Sequence, residues 1–111
     1  MRRGGKPATM PGMTYAVVWS ERGGPRFAGS LELGSGSAVL SGSAAGGSSS
    51  QRRLRLGDLV DVHVERGPSG APVVVVAEPG GSRLEIASLE GRGTLHELVE
   101  GLLRERGKAA G

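Results

Sequence analysis

Residues 82–107 read SRLEIASLEGRGTLHELVEGLLRERG, and within them the hydrophobic period changes. Leu84 and Ile86 alternate with Arg83 and Glu85, the period of two expected of a strand with one buried face. Leu95, Leu98, Val99, Leu102 and Leu103 then recur at i, i+3, i+4, i+7 and i+8, one apolar stripe along an α-helix. Thr94 and Glu97 have the spacing of a capping box, Glu100 and Arg104 are set for an i,i+4 pair, and Gly107 stands where a left-handed cap would end the helix. The stripe must bury against something. Everything upstream reads as strand, so the helix is expected to close one end or face of a sheet.

Upstream, glycine clusters at Gly23–Gly24, Gly34–Gly36, Gly46–Gly47, Gly57, Gly67–Gly70, Gly80–Gly81 and Gly91–Gly93 separate apolar runs at a spacing of roughly 11–12 residues, the punctuation of short strands joined by turns. Phe27, Gly29, Leu31 and Leu33 alternate with Ala28, Ser30 and Glu32, and Leu54 and Leu56 alternate with Arg53 and Arg55. Val60, Val62 and Val64 fall on one face of a strand, with Leu59, Asp61, His63 and Glu65 on the other. Residues 15–20, 37–43 and 71–77 complete a set of seven strands. Gly29 and Gly42 interrupt strand patterns, where the bend of a strongly curved sheet would want them. Residues 44–51, AAGGSSSQ, read as a mobile loop.

Composition bounds the rest. Gly and Pro are 21 and 6 of 111 residues, while Leu, Val, Ile and Phe number 25, enough for one small core. One domain over residues 14–107 is expected, between disordered tails at 1–13 and 108–111; that size excludes a large enzyme with a deep cleft. The absence of cysteine removes disulfides, thiolate zinc sites and thiol nucleophiles. The basic start has no apolar stretch behind it and no run is long enough to span a bilayer, so a cytoplasmic protein with no transmembrane segment is expected. The net charge of +3 sits in the tails, at Arg2, Arg3, Lys6 and Lys108; residues 14–107 hold ten Arg against eleven acidic residues. With three aromatic residues and a slightly acidic body, the chain lacks the basic, aromatic-lined groove of nucleic-acid binders, and no nucleic-acid partner is expected.

Seven strands followed by one C-terminal amphipathic helix is the element order of the pleckstrin homology (PH) fold. Residues 52–67, RRLRLGDLVDVHVERG, resemble the strand four, tight turn, strand five passage of small bacterial PH-like domains, and residues 82–107 are similar to their strand seven and closing helix. The resemblance implies a mainly β fold of two nearly orthogonal antiparallel sheets, a barrel or sandwich closed by the helix, with an OB-like barrel as the alternative. It also implies binding or scaffolding in place of catalysis, with ligands near the loops after strands one, three and six.

In phosphoinositide-binding relatives a basic pattern surrounds the loop after strand one. Here that loop is ERGGPRF, with Arg22 and Arg26, and Arg53 could approach from strand four; these are the candidate ligand-binding residues. No catalytic residue is assigned: there are two histidines, no G-x-S-x-G elbow, and no glycine loop leading into a helix. Asp61, His63 and Glu65 are the weak metal candidates. Alternate residues on a strand lie about 6–7 Å apart, too far for all three to reach one ion without a bend, so the expectation is no metal and no cofactor, with His63 between carboxylates and an arginine such as Arg53 or Arg83. The His96 side chain is expected in solvent. Residues 72–76, PVVVV, are apolar on both faces, so the second face lies under part of this chain or against another. The function expected is a non-enzymatic module engaging a protein partner or a second copy; the alternative is weak binding to an anionic ligand or membrane surface.

Overall fold

A computed structural model describes residues 13–21, 24–34, 36–67 and 70–110, apart from the side chains of residues 92 and 108–110. Arg22 and the expected N-terminal tail up to residue 12 lie outside the described residues.

All seven expected strands are present: β1 (Met13–Glu21), β2 (Arg26–Gly34), β3 (Ser37–Ser43), β4 (Ser49–Arg55), β5 (Asp61–Arg66), β6 (Pro72–Ala77) and β7 (Arg83–Ser88). They form one antiparallel sheet in the order β4-β3-β2-β1-β7-β6-β5, with β1 pairing to β2 along its length and to β7 at its C-terminal half. The sheet is not closed into a barrel: β4 and β5 are its two edges. They are successive in sequence, yet a one-turn 3-10 helix, Leu56–Asp58, separates them, and α1 (Arg92–Ala110) packs mainly on that turn and on β5.

The register explains the core. Trp19 stands opposite Phe27 and Ile86, Leu31 opposite Tyr15 and Leu40, Ala38 opposite Leu54, and Val76 opposite Leu84 and Val62, so every strand points one face inward. Leu95, Leu98 and Leu102 of α1 cover that face, all three buried. At Gly101 the helix lies close to β1 and β2: a Cβ there would be 2.7 Å from the Leu33 side chain and 3.8 Å from the Tyr15 hydroxyl.

Several boundaries move. The helix begins at Arg92 and runs through Gly107 to Ala110. Thr94 therefore lies within its first turn and does not cap it, since the bond from the Leu95 N–H to the Gly91 carbonyl already belongs to the helix. Residues 44–51 are not a loop throughout. Ala44 and Ser48 close a tight turn, in which Gly47 has a φ of 92° that a residue with a side chain would resist, and Ser49 already pairs with Ser43. Around β5 the expected faces hold only in part. Val62 is buried, but Val60 is 62% and Val64 42% exposed, and buried Leu59 fills the corner instead. Among the described residues, the sheet has no further strand at this edge to cover the valines.

Gly29 and Gly42 face each other across β2 and β3. The Trp19 indole N–H reaches past them to donate to the Ser41 carbonyl at 3.1 Å. A side chain at either glycine would meet the neighbouring backbone, so these residues let β2 and β3 approach closely beside the indole.

Candidate functional site

Because side chains alternate, the inward register of Val62 places Asp61, His63 and Glu65 together on the outer face of β5, as the alternation in sequence requires. The His63 Nδ1 lies 2.6 Å from Asp61 Oδ2 and its Nε2 lies 2.6 Å from Glu65 Oε2. Both ring nitrogens must donate, which only the imidazolium can do. Arg83 on β7 reaches over β6 to donate to the same Glu65 oxygen at 3.1 Å. Arg83 is therefore the arginine of this cluster; Arg53 is on the opposite edge strand.

The ring stands between carboxylates at its two ends, with no nitrogen left over for an ion. Among the described residues, no group of three or more His, Cys, Asp or Glu side chains is arranged to hold a metal. The cluster has another consequence. Arg83 is level with Ala77 and Glu65 with Val73, so their ion pair crosses the sheet above Val75, which is 1% exposed on a face with no second layer. Of the two outward valines of residues 72–76, Val75 is thus covered within the chain, while Val73 is half-buried and borders a crevice with Val18, Arg26 and Glu85.

Hydrogen bonding to Glu65 first, and then to Asp61, holds the His63 imidazole above its ordinary range, and the bond from His63 holds Glu65 below the usual carboxylate range. The contribution of His63 to stability is full below the ordinary imidazole pKa and is lost as pH rises through the raised folded-state value. That of Glu65 is present above its ordinary value and lost as pH falls through the lowered one, so the cluster is complete between the two folded-state values. Both groups are substantially exposed, and the effect on global stability is small. An NMR titration of the ring protons is expected to place His63 higher in the wild type than in Glu65→Gln; equal midpoints would show that the carboxylate does not hold the proton.

Of the candidate ligand-binding arginines, Arg26 and Arg53 are not brought together, and Arg22 lies outside the described residues. Arg53 is exposed on β4, level with Val39 and, one strand further, Glu32. Arg26 is exposed at the start of β2, six residues from Glu32, which is about 20 Å along a strand. It borders a shallow 190 Å³ crevice with Val18, Val73 and Glu85.

Two features were missed in the sequence. Arg52 turns inward beside Leu40 and binds Glu21 at the end of β1 and Glu78 after β6, tying both halves of the sheet. Burial opposes its charge, but the bonds to the two carboxylates more than offset this and hold the guanidinium above its ordinary value. In the sequence it is one arginine of an alternating RRLRL, with no signal of its partners.

The second is a groove of about 420 Å³ between the free edge of β5 and the start of α1, lined by Val64, Glu65, Arg66, Gly70, Pro72, Leu95 and His96. Arg66 donates to the Gly70 carbonyl at 3.2 Å and shapes one end. At the far end of β5, Arg106 donates to the carbonyls of Leu59 and Val60 at 3.0 and 3.1 Å and fixes the helix alongside the strand. Arg106, Leu95 and His96 thus mark the helix side that faces this edge, and by helical spacing Val99 and Leu103 share it. Leu103 is 43% exposed, so exposed apolar side chains border the edge from both elements.

The three aromatic residues are committed elsewhere: Tyr15 and Trp19 are buried, and Phe27 packs against Trp19 with ring centroids 4.8 Å apart, so none is a stacking platform. Among the described residues, no helix is long and apolar enough to cross a membrane. No protein-family model matches the chain, and no curated protein sequence is detectably similar to it.

Proposed function

We propose that this chain is a non-enzymatic PH-like interaction module whose binding surface is the free edge of β5 and the groove between that edge and α1. One observation carries the reading: β5 offers an unpaired strand edge directly beside a groove with Val64, Pro72 and Leu95 on its walls. Such an edge supplies main-chain hydrogen bonds along one direction, and an adjacent apolar groove selects side chains at alternate positions. The PH-like assignment is supported by seven antiparallel strands that run β1 to β4 and β5 to β7 in succession and join through β1 and β7, and by the terminal helix packed on the 3-10 turn and β5.

The other edge strand differs in kind. Arg53, Arg55 and Gln51 are exposed on β4, the charged-edge arrangement that discourages strand addition, and the hollow beside Gln51 is lined by Ser41, Gly42, Ser43, Ser49 and Ser50, with no large apolar side chain.

Peptides selected from a random display library on the immobilised protein test this reading. On titration they are expected to shift the backbone amides of Val62, Val64, Arg66, Leu95 and His96. Val64→Lys is expected to weaken them at least tenfold, because it places an ammonium in an apolar contact. Selected peptides that shift only β4 or the outer face would overturn the proposal.

A further inference from the structure

We infer that the occupant of the β5 edge is a second copy of this chain, paired antiparallel through a two-fold axis at Val64. The inference rests on the β5 edge being the interaction surface and adds which chain fills it.

The hydrogen-bond pattern shows which groups are free. Arg66 stands opposite Pro72, and the next pair is joined by the bond from the Gly67 N–H to the Ala71 carbonyl. Bonding alternates along an antiparallel pair, so residues 61, 63 and 65 bond to β6, while 62, 64 and 66 turn their N–H and C=O groups outward. A second β5 can therefore bond only through its own residues 62, 64 and 66, which keeps like faces together and leaves few registers.

Charge chooses among them. An axis at His63 sets Asp61 against the partner's Glu65 and two imidazolium rings against each other. An axis at Glu65 sets two carboxylates together. An axis at Val62 runs the pairing into residues 58–60, where Arg106 already occupies the Leu59 and Val60 carbonyls and the 3-10 turn ends. An axis at Val64 uses residues 61–67 throughout. It places each His63 opposite the partner's Glu65, twice, and packs the two exposed Val64 side chains on each other, with Leu103 of each helix beside the seam. An isologous contact of this kind closes on itself as a dimer and does not propagate.

Sedimentation equilibrium of the full chain is expected to give a mass approaching twice 11.3 kDa at about 100 µM and above, as for an interface at the small end of the size range. His63→Glu alone and Glu65→Lys alone each oppose like charges twice across the axis and are expected to weaken association at least tenfold. An equimolar mixture of the two variants restores opposite charges at every contact and is expected to recover the dimer. Both positions are on the solvent face, and the amide spectrum of each variant confirms its folding; Val64→Lys provides a third disruption through the axis itself.

A single-chain mass for the wild type at about 1 mM, or a mixture no more associated than its components, overturns the inference. If the wild type is monomeric and selected peptides still map to β5, only the second-copy assignment fails. If peptides map elsewhere, the edge reading fails with it.

Discussion

Trp19→Ala is expected to destabilise the fold by about 3–5 kcal/mol, a large part of what a domain of this size possesses. Trp19 is 1% exposed, stacks at a tilt of 32° on Phe27, and spans β2 to bond the Ser41 carbonyl. Its removal leaves the largest cavity a single substitution can open here and takes the donor from Ser41. The variant has no tryptophan, so urea unfolding followed by far-ultraviolet circular dichroism is the suitable measurement. Trp19→Phe keeps most of the ring and separates the two contributions; the unpaired carbonyl is expected to account for about 1–3 kcal/mol. A midpoint for Trp19→Ala within error of the wild type would mean that the indole does not hold β1, β2 and β3 together.

Gly29→Ala is the second large effect, and it comes from adding atoms. The new Cβ would fall 2.5 Å from the Gly42 Cα and closer still to the Ser41 carbonyl oxygen, both backbone atoms of the next strand. A flexible side chain could move aside, but two paired strands cannot without breaking the register that buries Leu31 and Leu40. Overpacking of this kind costs about 1–3 kcal/mol, and the upper end is expected because only backbone can yield. Gly46→Ala is the matched control: nothing lies within 4 Å of its added Cβ, and a change within about 0.5 kcal/mol is expected. Thermal unfolding of the pair checks both. Equal midpoints would show that the β2–β3 contact is looser than the distances imply.

Much of this fold was legible in residue order because it depends on short-range periodicity. The alternation of Leu84 and Ile86 with charged neighbours, and the stripe from Leu95 to Leu103, each report one element burying one face, and both elements are where they were expected. The two glycines inside strand patterns stand opposite each other where neither position has room for a side chain. Ends were less legible. Thr94 and Gly107 carry capping chemistry, but the helix overruns both, and the serines at 49–50 join β4 because β3 offers an adjacent ladder that a polar composition does not forbid.

The candidate site divides along the same line. The order of Asp61, His63 and Glu65 was enough to place them on one face, since alternation alone does that. That Arg83 completes the cluster and covers Val75 could not be read there, because it depends on β6 lying between β5 and β7. Arg22, Arg26 and Arg53 looked like one basic group in a list of loops; the strand order sets Arg26 and Arg53 at separate levels of the sheet. Arg52 and the β5–α1 groove carried no sequence signal at all.

Residue order alone sets the inventory: seven strands, a one-faced helix, a core without cysteine and a body nearly neutral in charge. Each of those follows from composition and from contacts within a few residues. Long-range pairing settles which strands are edges, which arginine reaches which carboxylate, and that Val75 on the outer face of β6 is covered while the edge of β5 is open. Those outcomes depend on contacts far apart in the chain, from Arg83 with Glu65 to the pairing of Val17 with Ser88, where loop lengths and the packing of α1 on the 3-10 turn choose among arrangements that the local pattern leaves equal.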